Sequence, residues 1–250
     1  MYEQIAANKR KSFLLVLFFL AFIFLLTWVF EKLFGFGSEA LVLAVVVALA
    51  MTLGGYFASD KIVLAISHAR PVEKEEYPYL YNVVEGLAIA AGLPKPRCYI
   101  INDSAPNAFA SGRNPKNSVI VVTTGLLEKL NRAELEGVIA HEMSHIKSYD
   151  ILVQTLTVVM VGVVALLSDW LLRSFFWGGG RKKGASRGRG STGAIFILVG
   201  LILALFSPLI SQLIHFAISR KREFLADANG AFLTRYPPGL ASALKKLNAD

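Results

Sequence analysis

Four long apolar stretches, at about 12–30, 39–57, 151–177 and 193–218, constrain this 250-residue chain more than any other feature. Each is long enough for the roughly 20 helical residues that cross a bilayer core. A mean hydropathy of +0.52, with 54% hydrophobic residues, agrees with this, because ordinary soluble domains are less apolar. The first stretch follows Lys9-Arg10-Lys11 and resembles a signal peptide. Its apolar run is too long for one and no small-residue cleavage site follows, so it is expected to stay as a span. The second stretch is almost free of charge. The third contains Asp169 and Arg173, and the fourth contains Ser207-Pro208 and His215. That pair is expected to pack partly against protein instead of lipid. The chain therefore reads as an α-helical integral membrane protein with four hydrophobic segments.

The formal charge of +8 suggests nucleic acid until it is located. Residues 60–150 carry 10 basic and 11 acidic residues, so the most domain-like region is near neutral. The excess lies at Lys9-Arg10-Lys11, between Arg181 and Arg189, and after residue 217. Basic clusters beside apolar spans are headgroup contacts and topology signals. The expected partner is the lipid bilayer, with no nucleic acid. The single Cys98 excludes an internal disulfide framework and fits a reducing compartment.

Only residues 58–150 have soluble character. Tyr79 to Ala91 has helical spacing (Leu80, Val83, Val84, Leu87, Ala91) and ends at Gly92 before Pro94. Tyr99-Ile100-Ile101 and Val119 to Thr123 read as strands. Asn114 to Asn117 reads as a turn leading from an extended piece around Asn107–Ala110. Asn131 with Glu134 three residues later forms a capping-box pattern that opens a helix. This helix is expected to run through His141 and His145 towards the third apolar stretch. The chain thus divides into two membrane helices (1–57), a first catalytic part (58–150), a membrane hairpin (151–218) whose Gly- and Arg-rich loop is 178–191, and a second catalytic part (219–250).

The chemistry concentrates in His141-Glu142-Met143-Ser144-His145. Histidines four apart on a helix leave the same face about one turn apart. Two imidazole nitrogens can then reach one Zn²⁺ at about 2.0–2.1 Å. Glu142 follows the first histidine and is the candidate general base. The bland alternative, two helix histidines beside a chance glutamate, is disfavoured because the capping box and apolar face supply the helix that the motif needs.

A third ligand is sought by elimination. Only His68 and His215 remain among the histidines, Cys98 sits in a strand, and position 151, where a longer motif would place a third histidine, is Ile. A carboxylate from a later helix is then expected, giving a His₂Glu set. In Ser219 to Asp227, Glu223 and Asp227 lie i,i+4 on one face. Glu223 is the candidate ligand, and Asp227 the candidate acceptor for the other nitrogen of a ligand histidine. The alternative is a solvated helix whose carboxylates only balance Arg220 and Arg222.

These residues resemble the membrane zinc metallopeptidases of the HtpX type, a family shared with the Ste24 prenyl-protein proteases. The likeness rests on 141–145, on Glu223-Phe224-Leu225-Ala226-Asp227, on Asn107-Ala108-Phe109-Ala110 and on the order of the apolar stretches, and it covers nearly the whole chain. It implies an α+β zincin-like (gluzincin) catalytic domain with a small sheet flanking the substrate. It also implies one Zn²⁺ per chain on His141, His145 and Glu223, with Glu142 as base and Asp227 behind a ligand. Asn107, Ala108, Phe109 and Ala110 would bind an extended polypeptide by strand addition, and Arg220 would help hold the site or the tetrahedral intermediate. The resemblance implies an endopeptidase for membrane or membrane-proximal proteins, acting in their quality control. Two alternatives are processing of lipid-modified proteins and a non-hydrolytic, metal-dependent membrane scaffold. The first is disfavoured by the small number of spans and the second by the intact Glu142. Members of this branch usually continue beyond the point where this chain reaches Asp250.

Lys9-Arg10-Lys11 places the N-terminus, and after two spans the catalytic domain, on the cytoplasmic side of the cell membrane. The loop 178–191 opposes this simple layout. A full crossing by the third and fourth stretches would export five positive charges and no acidic residue.

Overall fold

The computed structural model describes residues 2–34, 38–162, 200 and 220–248. The fourth apolar stretch apart from residue 200, the rest of the third, loop 178–191, Asp169, Arg173 and His215 therefore lie outside the described residues. Two long helices open the chain, α1 (Tyr2–Phe34) and α2 (Ser38–Phe57), and pack against each other. Their side chains are described only in part. Among the described residues no helix is long and apolar enough to cross a membrane, so the spans at 12–30 and 39–57 remain an expectation.

A short helix, α3 (Ser59–Ile66), leads to strand β1 (Arg70–Pro71) and then to α4 (Pro78–Ala91). Helix α4 has Pro at its first position, where a missing N–H costs nothing. It stops at Gly92, whose left-handed φ of 68° lets its N–H cap the last carbonyls. Leu80, Val83, Val84, Leu87, Ala88 and Ala91 are its buried face, the face that the spacing predicts.

Strands β2 (Arg97–Ile101), β3 (Ala108–Asn114) and β4 (Asn117–Thr123) complete a sheet of order β1-β2-β4-β3. Strand β4 is central, parallel to β2 and antiparallel to β3. Its residues Val119 to Val122 are fully buried because both faces of the strand are covered. Ile120 and Val122 join Leu80, Val84, Leu135, Ile139 and Met143 in the main core. Val119 and Val121 pack on the opposite side with Leu64 of α3. Burying such side chains stabilises by about 1.5–3 kcal/mol each. This continuous apolar run is the pattern of an inner strand.

A short helix, α5 (Thr124–Lys129), precedes α6 (Arg132–Ser148). The capping box is present: Asn131 Oδ1 accepts from the Glu134 N–H, and a Glu134 carboxylate oxygen accepts from the Asn131 N–H. The helix does not run on into the third apolar stretch. Tyr149 adopts a left-handed φ of 63°, and its N–H closes on His145 O and Ile146 O. A new helix, α7, is described over 150–162 and packs its Leu152, Leu156 and Val159 against Phe19 and Ile23 of α1.

Helices α8 (Arg220–Thr234) and α9 (Pro237–Leu247) lie against α6. Glycines make these contacts close. A Cβ on Gly137 would lie 2.7 Å from Leu240 N, and one on Gly230 3.0 Å from His141 N. Gly230 thus brings α8 against the backbone of the first motif histidine.

Candidate metal centre

His141 and His145 leave α6 together, with their Nε2 atoms 3.1 Å apart. Glu223 Oε2, from α8, is 3.4 Å from His141 Nε2 and 3.7 Å from His145 Nε2. Two ligands of a tetrahedral zinc, at about 2.0–2.1 Å each, stand about 3.3 Å apart. The three donor atoms have that spacing.

The outer nitrogens are held by carboxylates. His141 Nδ1 is 2.8 Å from Asp227 Oδ1, and His145 Nδ1 is 3.2 Å from Asp150 Oδ2. With the Nδ1 positions donating to those carboxylates, both Nε2 lone pairs converge on a carboxylate oxygen. Three acceptors and no donor then face one point, a set that a cation satisfies. Without a metal, protons on the imidazoles take the cation's place. Burial opposes a charge on His145, but hydrogen bonds to Asp150 and Glu223 outweigh it and push the imidazole up to about 10. The hydrogen bonds from His141 and His145 hold Glu223 far below the usual carboxylate range.

Glu142 is half-buried beside this point, and burial raises its pKa. Its Oε2 accepts from the Ala110 N–H at 2.9 Å. Ala110 pairs with Ile120 of β4, yet its N–H points to Glu142, so this is a position where the backbone groups of β3 face away from β4. Glu142 therefore sits along the outer edge of β3. Ala108 and Phe109 lie on the same strand, half-buried. Asn107 lies just before it, exposed, its N–H donating to Thr123 Oγ1 at 2.9 Å.

Of the residues singled out from sequence, His141, Glu142, His145, Glu223, Asp227 and Ala110 come together. Arg220 is exposed at the first residue of α8. Its neighbour Arg222 turns inward, Nη1 donating to Asp150 Oδ1 at 3.1 Å. His68 is exposed after α3, and Cys98 is buried in β2, where burial raises its thiol to about 11. Neither joins the cluster of donors.

Sequence reasoning missed Asp150. Both its oxygens are engaged: Oδ1 accepts from Asn8 Nδ2 at 2.7 Å and from Arg222, while Oδ2 accepts from Ser148 Oγ at 2.7 Å and faces His145. Asn8 Nδ2 also donates to Ser148 O at 2.8 Å, which ties α1 to the end of α6. Asn229 Nδ2 donates to Ser144 Oγ at 3.1 Å and fastens α8. The only signal for Asp150 was its place five residues after His145, which becomes a contact because Tyr149 reverses the chain.

An α+β domain that presents two histidines and a glutamate to one point, with a second glutamate beside them, has the zincin-like peptidase fold. Residues 74–249 match the family model "Peptidase family M48", and the chain belongs to that family. It is 48% identical to a "Protease HtpX homolog" of Dictyoglomus turgidum, over 98% of this chain and 79% of that protein. It is 46% identical to one of Thermoanaerobacter pseudethanolicus, over 100% of this chain and 83% of that protein. Among solved structures, that of S. mikatae Ste24p shares the fold, with a TM-score of 0.50 and 23% identity, over 99% of this chain and 59% of that one.

Proposed function

We propose that the chain is a membrane-bound zinc endopeptidase whose ligands are His141, His145 and Glu223 and whose general base is Glu142. The convergence of three acceptor atoms at zinc-ligand spacing carries this reading. Zinc, when bound, supplies Lewis acidity and brings a water's pKa down towards about 7. Asp227 and Asp150 hold the two imidazoles in the tautomer that presents Nε2. The Glu142 carboxylate takes the proton of the attacking water and later delivers it to the leaving amine. Its raised pKa suits a group that must both accept and give a proton.

The substrate is an extended polypeptide laid along the outer edge of β3 beside Asn107 to Ala110, where the backbone groups of alternate residues face outward. The Ala110 N–H, which reaches Glu142, supports this, because it puts the reacting carboxylate at the edge where a peptide would pair. The membrane reading is supported by exposed apolar side chains along α1 (Phe13, Leu17, Phe18, Leu25) and α2 (Val42, Val46, Leu53). Two mutually packed helices with such an outer surface suit lipid. The catalytic domain then faces the cytoplasm below the cell membrane. The substrates are membrane or membrane-proximal proteins, in a quality-control role that the family resemblance alone supports.

The test is purification in detergent, chelation and zinc add-back, with cleavage of an unfolded protein measured for the native chain and Glu142→Gln. The native chain should lose activity on chelation and regain it with zinc, and Glu142→Gln should bind zinc without cleaving. Zinc bound by the native chain with no zinc-dependent cleavage would refute the reading.

A further inference from the structure

On the side of Asp150 away from His145 lies a cavity of about 510 Å³ between α1 and α8. Its polar wall carries Lys11 from α1 and Lys221 and Arg222 from α8, and its apolar wall is formed by Ala7, Phe224 and Leu225. Three cations face one carboxylate, Asp150, whose two oxygens are already engaged. The Arg222 guanidinium is held on one side only. Nη1 donates to Asp150, while Nη2 is buried with no hydrogen-bond partner among the described residues. The cavity wall thus gathers two lysines and a guanidinium that is paired through one arm among the described residues, a set that suits a phosphate.

The position of the cavity selects among phosphates. Lys11 is followed at once by Phe13, Leu14 and Leu17, all more than half exposed. The cavity therefore lies where the apolar exterior of α1 begins, at headgroup depth if α1 spans. Phe224, 71% exposed on its rim, offers an apolar surface beside the charges.

We propose that this cavity binds the phosphate of an anionic phospholipid, and that its occupancy braces Arg222 and, through Asp150, the imidazole of His145. The inference rests on the membrane reading above. The metal centre then responds to the lipid around it through the phosphate and three side chains in direct succession: guanidinium, carboxylate, imidazole.

The test uses the full chain in phosphatidylcholine nanodiscs, with phosphatidylglycerol or inorganic phosphate added, and compares the native protein with the double variant Lys11→Gln/Lys221→Gln. Two quantities are read: lipid retained through detergent exchange, by native mass spectrometry, and peptide hydrolysis. The native chain should retain phosphatidylglycerol and gain about fivefold in hydrolysis. The variant should keep its basal rate in phosphatidylcholine and lose both retention and gain. A variant that retains phosphatidylglycerol as the native chain does overturns the site, and equal activation by inorganic phosphate overturns the lipid as its ligand. Vesicle flotation separates the two readings. A chain that does not float refutes the membrane reading, whereas one that floats without selecting phosphatidylglycerol overturns only the pocket.

Discussion

Glu134 offers a quantitative test of how the C-terminal helix is held to the motif helix. Its carboxylate is buried yet ionised. It accepts from the Asn131 N–H at 2.9 Å, from Lys246 Nζ at 2.7 Å and from Ser242 Oγ at 2.6 Å. The hydrogen bonds from Lys246 and Ser242 hold it at about 2, against 4.5 for a free glutamate. Because the folded value lies below the unfolded one, the stabilisation is complete above about pH 5 and is lost as pH falls through the folded value. The difference corresponds to about 3 kcal/mol. Lys246 is 41% exposed, so screening reduces the expected share to about 1–2 kcal/mol. Glu134→Gln should therefore lower Tm at pH 7 by about 2–8 °C. The gap to the native chain should shrink by about half near pH 3. Thermal unfolding in detergent, followed by circular dichroism at both pH values, measures this. Faster amide exchange confined to α9 would locate the loss. An unchanged Tm at pH 7, or a gap that widens on acidification, would refute the reasoning.

Three further outcomes are expected. Asp227→Asn should weaken zinc binding about 10–100-fold in a chelator competition while leaving the helical content intact. Ala110→Pro removes the N–H that Glu142 accepts, at a position that does not donate to β4, so zinc content should stay normal while hydrolysis falls about 100-fold. Gly137→Ala places a methyl 2.7 Å from Leu240 N and 2.8 Å from Leu240 Cα. It should destabilise the chain by about 1–3 kcal/mol, read as a lower midpoint in chemical denaturation.

Where local chemistry decides, the sequence was legible. The spacing in α4, its glycine stop, the capping box of α6 and the i,i+4 histidines all rest on contacts between residues a few positions apart. The Glu223–Asp227 pairing was also readable, because one helix face carries both carboxylates to the same neighbour. What stayed hidden depends on the fold. Asp150 reaches His145 only because Tyr149, a residue with no marked preference for the left-handed region, takes it. Asn8 reads as one more polar residue before a span until α1 docks on α7. Arg222 and Arg220 look interchangeable in sequence, and only the seating of α8 decides which turns inward. The parallel pairing of β2 with β4 is likewise a long-range choice, invisible in either strand alone.

The ties around Asp150 and Glu223 also order the events of synthesis. A chain that has emerged only as far as Tyr149 holds both histidines and Glu142, but neither Glu223, Arg222 nor Asp227. The donor set closes only after the long intervening segment has been made and α8 has come back to α6. The donor set is thus a property of the finished chain, since its helix α6 half is made well before its α8 half.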